Sequence, residues 1–168
     1  MKTIKIIIVF SFVFFWGIQI ANSQNLTYNE FFQLSKKDRW SDIERFMSSK
    51  NYKYAGSIDR KDHRTIAWTY NCLEFSFNEK GIYYEFGPHR NCSVIYIQEY
   101  NDKYRTYTYV FLSNETYNLF LKTAKNYGFI FSDDGYKEDE IYEIYKRNNE
   151  WLTFSKNKTG SFRIVYEP

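Results

Sequence analysis

The chain has 168 residues, of which 22% are aromatic, and 23 basic against 20 acidic side chains. Disordered chains are poor in aromatic residues, so this composition predicts a folded protein. Two of the basic residues, Lys2 and Lys5, lie in the first 23 positions, which leaves 21 basic against 20 acidic residues in the remainder. That balance does not favour a nucleic-acid-binding protein.

The first 23 residues predict an export signal. Two lysines precede an uncharged run over positions 6–20, and small residues lie just before Gln24. We predict cleavage before Gln24, which leaves a single domain over residues 24–168 in the periplasm or outside the cell. The alternative is an uncleaved membrane anchor, because the run is rich in aromatic side chains although shorter than a span of about 20 residues.

The next segment predicts two short helices, interrupted over positions 36–39. Ser41 is a candidate N-cap of the second helix, and Glu44 follows it at the spacing of a capping box. The helical spacing of Ile43 and Met47 predicts that one side of this helix is buried.

From Tyr52 onward the hydrophobic period is two, which is typical of half-buried antiparallel strands. Strands are predicted at TIAWTYN, LEFSF, GIYYEF, SVIYIQEY and YRTYTYVFL. A third helix follows at SNETYNLFLKTAKNYG, with Ser113 or Asn114 as its cap and Gly128 as its stop. Four more strands are predicted at FIFS, EIYEIYK, WLTFSK and SFRIVYE.

Cys72 and Cys92 are the only two cysteines of the chain. An exported protein meets an oxidising compartment, so we predict that they form a disulfide. Closing a loop of about 20 residues would stabilise the fold by roughly 3 kcal/mol. The alternative is a nucleophilic or metal-binding thiol, although the chain contains no C-x-x-C and the nearest histidine, His89, lies in a Gly-Pro turn.

The order of elements predicts an α+β domain built from two tandem units. Each unit is a helix followed by about four antiparallel strands, and the first unit carries an extra hairpin. The first unit covers residues 24–112 and the second covers residues 113–168. The tripeptide KNY ends a predicted helix in both, at Lys50 and again at Lys125.

Two registers of this internal repeat remain open. LEFSFNEKG, which begins at Leu73, shares five of nine letters with LTFSKNKTG, which begins at Leu152. Equating these two segments makes residues 92–112 the extra hairpin. The alternative register equates residues 92–112 with the last two strands and makes residues 73–86 the insertion.

Three segments, SQNLTYNEFFQL, TIAWTYN and KNYGFIFSDD, resemble small exported proteins of unknown function from AT-rich Gram-negative bacteria. The resemblance implies an envelope or extracellular location and no assigned activity. In layout alone, the two predicted units resemble the tandem-repeat β-lactamase inhibitor protein, and a helix followed by an antiparallel sheet also occurs in small envelope assembly factors. A shared layout carries little information about function.

Two histidines are candidates for acid–base catalysis. His63 lies in DRKDHRT, where the neighbouring carboxylate of Asp62 can orient it as a general base. His89, in GPHRN, is the second candidate. The competing interpretation of both is a solvated turn, because charged residues flank His63 and no nucleophile lies near it in the sequence.

The segment SDDGYKEDE contains oxygen ligands of the kind that bind a hard cation, at Asp133, Asp134 and Glu138. Its spacing does not match an EF-hand, so no metal or cofactor is predicted. Residues 133–140 are mainly acidic, whereas the turn over residues 59–64 is mainly basic. We hypothesise that these oppositely charged turns orient a partner, the alternative being two unrelated solvated turns.

The strand YRTYTYV contains the candidate binding residues Tyr104, Arg105, Tyr107 and Tyr109. An exposed tyrosine surface would bind a protein or a glycan, because the ring and the hydroxyl serve apolar and polar contacts together. The alternative is that these rings fill a half-buried sheet surface.

These patterns predict an exported, non-enzymatic binding or inhibitor-like protein. Its expected partner is another protein or a glycan and not nucleic acid, and it would contact a membrane only through an uncleaved first segment. The alternative function is a small secreted hydrolase that uses a histidine–carboxylate pair.

Overall fold

The computed structural model describes residues 26–78, 81–86, 91–101 and 104–168. The predicted export signal and His89 lie outside these residues. The described part is a mixed α+β domain in which strands predominate over helices. No helix within it is long and apolar enough to cross a membrane.

The described residues form three helices, α1 (Tyr28–Ser35), α2 (Trp40–Ser49) and α3 (Asn114–Asn126). The predicted break between the first two is confirmed. The N-cap of α2 is the extended residue Arg39, so the assignment of Ser41 as the cap is wrong. Ser113 caps α3 by accepting a hydrogen bond from the backbone N–H of Thr116 at 3.1 Å. Gly128 follows that helix at a φ of +85°, which glycine adopts without strain.

The part of the chain that the structure describes also contains ten strands: β1 (Lys53–Asp59), β2 (His63–Tyr70), β3 (Cys72–Asn78), β4 (Gly81–Phe86), β5 (Ser93–Tyr100), β6 (Arg105–Phe111), β7 (Ile130–Lys137), β8 (Glu140–Arg147), β9 (Glu150–Asn157) and β10 (Phe162–Glu167). Eight of them form one antiparallel sheet in the order β1-β2-β5-β6-β10-β9-β8-β7, while β3 and β4 form a separate hairpin. The nine strands predicted from the alternating pattern are confirmed, and β1 is a further strand to which no predicted segment was assigned.

One face of the large sheet packs against the helices and forms the main core. Alternate residues of the strands, among them Trp68, Ile95 and Tyr109, join Phe31 of α1 and Phe120 of α3 in one buried cluster. The ring centroids of Phe31 and Tyr109 lie 6.0 Å apart. We call this the helix-covered face and its opposite the helix-free face.

The β3–β4 hairpin packs on part of the helix-free face. Phe75 contacts a small buried cluster that contains Val94 and Val110. The Phe77 ring lies so close to Gly56 that a Cβ at that glycine would be 3.3 Å from it. The predicted disulfide between Cys72 and Cys92 is confirmed, and it closes the base of this hairpin.

The β1–β2 pair and the β7–β8 pair share the same register. Trp68 of β2 pairs with Tyr54 of β1, and Tyr145, 77 positions after Trp68, pairs with Phe131 of β7. The register shifts immediately after Tyr54 in β1 and immediately after Phe131 in β7, again 77 positions apart. The two outer pairs of the sheet therefore match residue for residue, including the bulge.

The remaining strands match at a different spacing. Ile95 pairs with Tyr109 across β5 and β6, and Leu152 pairs with Tyr166 across β9 and β10, 57 positions later. The spacing changes by 20 residues where the β3–β4 hairpin leaves the sheet. LEFSFNEKG lies in that hairpin whereas LTFSKNKTG lies in the large sheet, so the segments with matching letters do not occupy matching strands.

Candidate functional site

A cleft of about 490 Å³ lies on the helix-free face. Phe77 and Ile82 of the β3–β4 hairpin form one apolar wall, and Tyr96 of β5 contributes to the floor. The cleft also has a set of polar and charged side chains drawn from strands far apart in the sequence, namely Arg60, His63, Gln98, Glu140 and Arg163. The hairpin thus makes one boundary of a site that the sheet alone would leave open.

His63 lies at one end of the cleft and is held on both sides. Its Nδ1 is 2.8 Å from a carboxylate oxygen of Asp62, and its Nε2 is 3.1 Å from the amide nitrogen of Gln98. Thr106 donates to the other end of the Gln98 amide at 3.4 Å. A neutral ring that donates from Nδ1 and accepts at Nε2 satisfies both contacts.

The hydrogen bond from His63 is also the main reason that the pKa of Asp62 is lowered from its usual value. The histidine side chain is 13% exposed, whereas that of Asp62 is 71% exposed. The predicted histidine–carboxylate pair therefore forms, with the ring turned toward the cleft and the carboxylate toward solvent.

The other end of the cleft has an ion pair. The guanidinium of Arg163 on β10 donates to the carboxylate of Glu140 on β8, and its Nε donates to the hydroxyl of Ser155 at 3.3 Å. Glu140 follows His63 by 77 positions, in the register that matches β2 with β8. The two ends of the cleft thus use matching sheet positions with different chemistry.

A second cleft, of about 610 Å³, continues over the helix-free face of β8 and β9. Tyr142, Ile144 and Thr153 line it, and it shares Glu140 and Arg163 with the first cleft. We call the two together the sheet groove. The sheet groove runs from the hairpin across the centre of the sheet toward β7.

Two of the four predicted binding residues are core residues. Tyr107 and Tyr109 are 2% and 0% exposed, and both lie on the helix-covered face. The Tyr109 hydroxyl accepts a hydrogen bond from the backbone N–H of Leu26 at 2.8 Å, and burial raises the pKa of Tyr109 well above its usual value. The structure corrects the prediction of an exposed tyrosine surface here, because alternate residues of β6 turn these rings under α1.

Arg105 and Tyr104 lie at the edge of the same strand. Arg105 donates to Glu99 at 2.8 Å and to the backbone carbonyl of Asp38 at 2.9 Å, so it ties β6 to the loop between α1 and α2. Tyr104 is 42% exposed and donates to Glu167 at 3.3 Å. Partial burial together with the Glu167 carboxylate raises the pKa of Tyr104 to about 12. Neither residue lines the sheet groove.

The acidic candidates for a cation site are spread around β7. Asp133 pairs with Ile144 and Asp134 pairs with Glu143, so these neighbouring residues point to opposite faces of the strand. Glu138 lies in the turn after β7. Within the described ranges, no three carboxylate, histidine or cysteine side chains come together in a group that could hold a metal ion.

The two charged turns lie at opposite ends of the sheet. All neighbouring strands are antiparallel, so β1 and β7 at the two edges run in opposite directions. The turn after β1 is next to His63, and the turn after β7 is next to Glu140. A partner that contacts both turns must therefore lie along the diagonal that the sheet groove follows.

Two residues of the site were not among the sequence candidates: Gln98 and Arg163. Their spacing to one another carries no motif, and only the pairing of strands brings them together. Comparison of the chain with protein-family models, with curated proteins and with solved structures finds no match.

Proposed function

We propose that this protein is an exported, non-enzymatic binding protein that holds a segment of another protein in the sheet groove, in the manner of an inhibitor or immunity protein. The sheet groove itself is the observation that carries the proposal. Its two clefts share Glu140 and Arg163, have apolar walls at Phe77 and Ile144, and have polar groups fixed in place by hydrogen bonds. Such preorganised polar groups on an apolar surface are typical of binding sites.

We further propose that the sheet consists of two tandem units, with β1, β2, β5 and β6 in the first and β7 to β10 in the second. The matching registers and the matching bulges support this assignment. So does the backbone of Asn71 and Asn148, which are 77 positions apart and have φ values of 52° and 54°. In this interpretation residues 72–91 are an insertion that replaces a tight turn of the first unit.

The chemistry of the sheet groove favours a protein over a glycan. The basic turn next to His63 and the acidic turn next to Glu140 invite complementary charges on one extended ligand. The aromatic side chain most suited to stacking on a sugar from this face, Trp151, already has Lys146 over its ring at 3.7 Å. A protein loop with an acidic residue toward the basic turn and a basic residue toward the acidic turn would fit both ends.

The test is binding of the immobilised protein to proteins of its own envelope or culture fluid, measured with two matched variants. Arg163→Gln removes the charge from the centre of the sheet groove, and Arg45→Gln removes a charge from the exposed side of α2. We expect Arg163→Gln to weaken binding at least tenfold, which corresponds to about 1.4 kcal/mol, and Arg45→Gln to leave it unchanged. Equal binding by both variants and the wild type would overturn the proposal.

A hydrolase remains the second candidate because His63 contacts a carboxylate and faces the cleft, as a general base must. Its Nε2 is engaged by the Gln98 amide, which would have to move before the ring accepted a proton from substrate. Hydrolysis of a panel of ester and peptide substrates distinguishes the two functions. Activity that is lost in His63→Gln and kept in Arg163→Gln would favour the hydrolase.

A further inference from the structure

The strand β7 forms one edge of the eight-stranded sheet and is open to solvent. Over the described residues it pairs with β8 alone. Every residue of β7 is exposed except Gly135, which is half-buried. An edge strand of this kind presents unpaired backbone N–H and C=O groups that can pair with another chain.

The side chains at this edge are large and apolar. Phe131 and Tyr136 of β7 are 52% and 59% exposed, and Ile141 of β8 is 64% exposed. Tyr136 pairs directly with Ile141, and Phe131 pairs with Tyr145, so all three lie on the helix-covered face but beyond the helices. We call Phe131, Tyr136 and Ile141 the β7 patch.

The opposite edge of the sheet has a different surface at the matching positions. Asp59 and Arg64 take the places of Tyr136 and Ile141, 77 positions earlier, and they form an ion pair at 3.4 Å. Charged residues on an edge strand protect it against pairing with another chain. The β1 edge is protected in this way at these positions, whereas the matching positions beside the β7 edge, Tyr136 and Ile141, carry no charge.

The charges around the β7 patch indicate which kind of strand can bind at this edge. Asp133 and Asp134 lie on β7 itself, and neither forms an ion pair with any residue that the structure describes. Antiparallel pairing of β7 with the β7 of a second copy would bring these four aspartates together, and like charges on facing strands are destabilising. A strand with basic residues would instead neutralise them.

We propose that the β7 edge binds an extended strand of a partner protein in which apolar residues alternate with lysine or arginine. The backbone of that strand would pair with β7, its apolar side chains would cover the β7 patch on the helix-covered face, and its basic side chains would face Asp133 on the helix-free face. Strand addition of this kind takes its affinity from main-chain hydrogen bonds and its specificity from alternate side chains. This surface is separate from the sheet groove and does not depend on it.

The experiment uses a fluorescent eight-residue peptide of alternating valine and lysine, with fluorescence anisotropy as the readout. The controls are the valine–glutamate peptide and a valine–lysine peptide N-methylated at every residue, which cannot donate backbone hydrogen bonds along either edge. We expect the valine–lysine peptide to bind at least tenfold more tightly than either control.

Two protein variants locate the site. The double substitution Asp133→Asn with Asp134→Asn should weaken binding of the valine–lysine peptide at least fivefold, and Asp59→Asn at the other edge should not change it. Equal binding of the N-methylated peptide would overturn strand addition. Self-association of the wild type that is lost on Ile141→Lys would assign the edge to a second copy and would also overturn the proposal.

Discussion

The two halves of the eight-stranded sheet share one pattern of pairing and differ in what covers their helix-free face. In the first half the β3–β4 hairpin packs over Val94 and Val110, whereas in the second half Tyr142 and Ile144 line an open cleft. The difference shows how a nearly regular sheet acquires a site. The β3–β4 hairpin covers part of the face and forms one wall of the cleft beside it.

The matching positions of the two halves also differ in charge. His63 and Glu140 occupy the same place in their strands, as do Gln98 and Ser155. Because the register fixes the backbone, only the side chains differ, so the contrast between an imidazole–amide contact and an ion pair is a difference of chemistry and not of fold.

The largest effect is expected from the disulfide, which only the first half has. Cys72→Ser together with Cys92→Ser should lower the free energy of unfolding by about 3 kcal/mol, because the reduced chain gains the entropy of a loop of about 20 residues. Urea unfolding measures the loss. Addition of a reductant should lower the stability of the wild type by a similar amount and leave the double variant unchanged; a wild type insensitive to reductant would contradict the assignment.

A smaller loss of stability is expected when the hydroxyl is removed from either of two tyrosines at matching positions, and the loss should differ between them. Tyr109→Phe should lower stability by about 1–3 kcal/mol, because it leaves the buried N–H of Leu26 without its acceptor. Tyr166→Phe should have an effect below about 1 kcal/mol, because Glu150, which accepts from Tyr166 at 2.6 Å, keeps its bond from Arg147. Thermal unfolding of the two variants shows which substitution lowers stability more. A larger loss in Tyr166→Phe than in Tyr109→Phe would show that the two hydroxyls are not bonded in this way.

The smallest expected effect is a dependence of stability on pH. It arises in α1, at the start of the first half. Burial would raise the pKa of Glu30, but hydrogen bonds from Lys50 and Thr27 outweigh it and lower that pKa below 4.5. A lowered carboxyl pKa gives stability that is complete above the unfolded value and is lost as the pH falls through the folded value. The free energy of unfolding should therefore decrease as the pH is lowered below about 4.3. The decrease should be smaller in Glu30→Gln, and identical pH curves for the variant and the wild type would show that Glu30 does not cause it.

The sequence was sufficient to predict the elements because each carries a local signal. The alternation of strands, the Ser113 cap and the Gly128 stop are all set by neighbouring residues, and the disulfide follows from the only two cysteines of the sequence and the prediction of export. The Ser41 cap failed for a local reason as well, since Arg39 already has the extended backbone of an N-cap and contacts Asp42 at 3.0 Å.

The sequence was insufficient for the assembly of the elements. The period of β6 shows that Tyr107 and Tyr109 share a face, but not which face the helices cover. The match between the segments that begin at Leu73 and Leu152 reflects similar strand and turn composition and not equivalent strands. Gln98 and Arg163 come into one cleft only through the strand order, which depends on contacts between distant residues.

The most direct test of the comparison is to remove the hairpin. Replacing residues 72–92 with a single asparagine would give the first half the two-residue asparagine turn of Asn148 and Asn149, and Val94→Thr with Val110→Thr would suit the newly exposed surface. Amide hydrogen exchange should then show β5 and β6 still protected in one cooperative fold. Loss of protection throughout β1, β2, β5 and β6 would contradict the claim that the hairpin is an insertion into a repeated sheet unit.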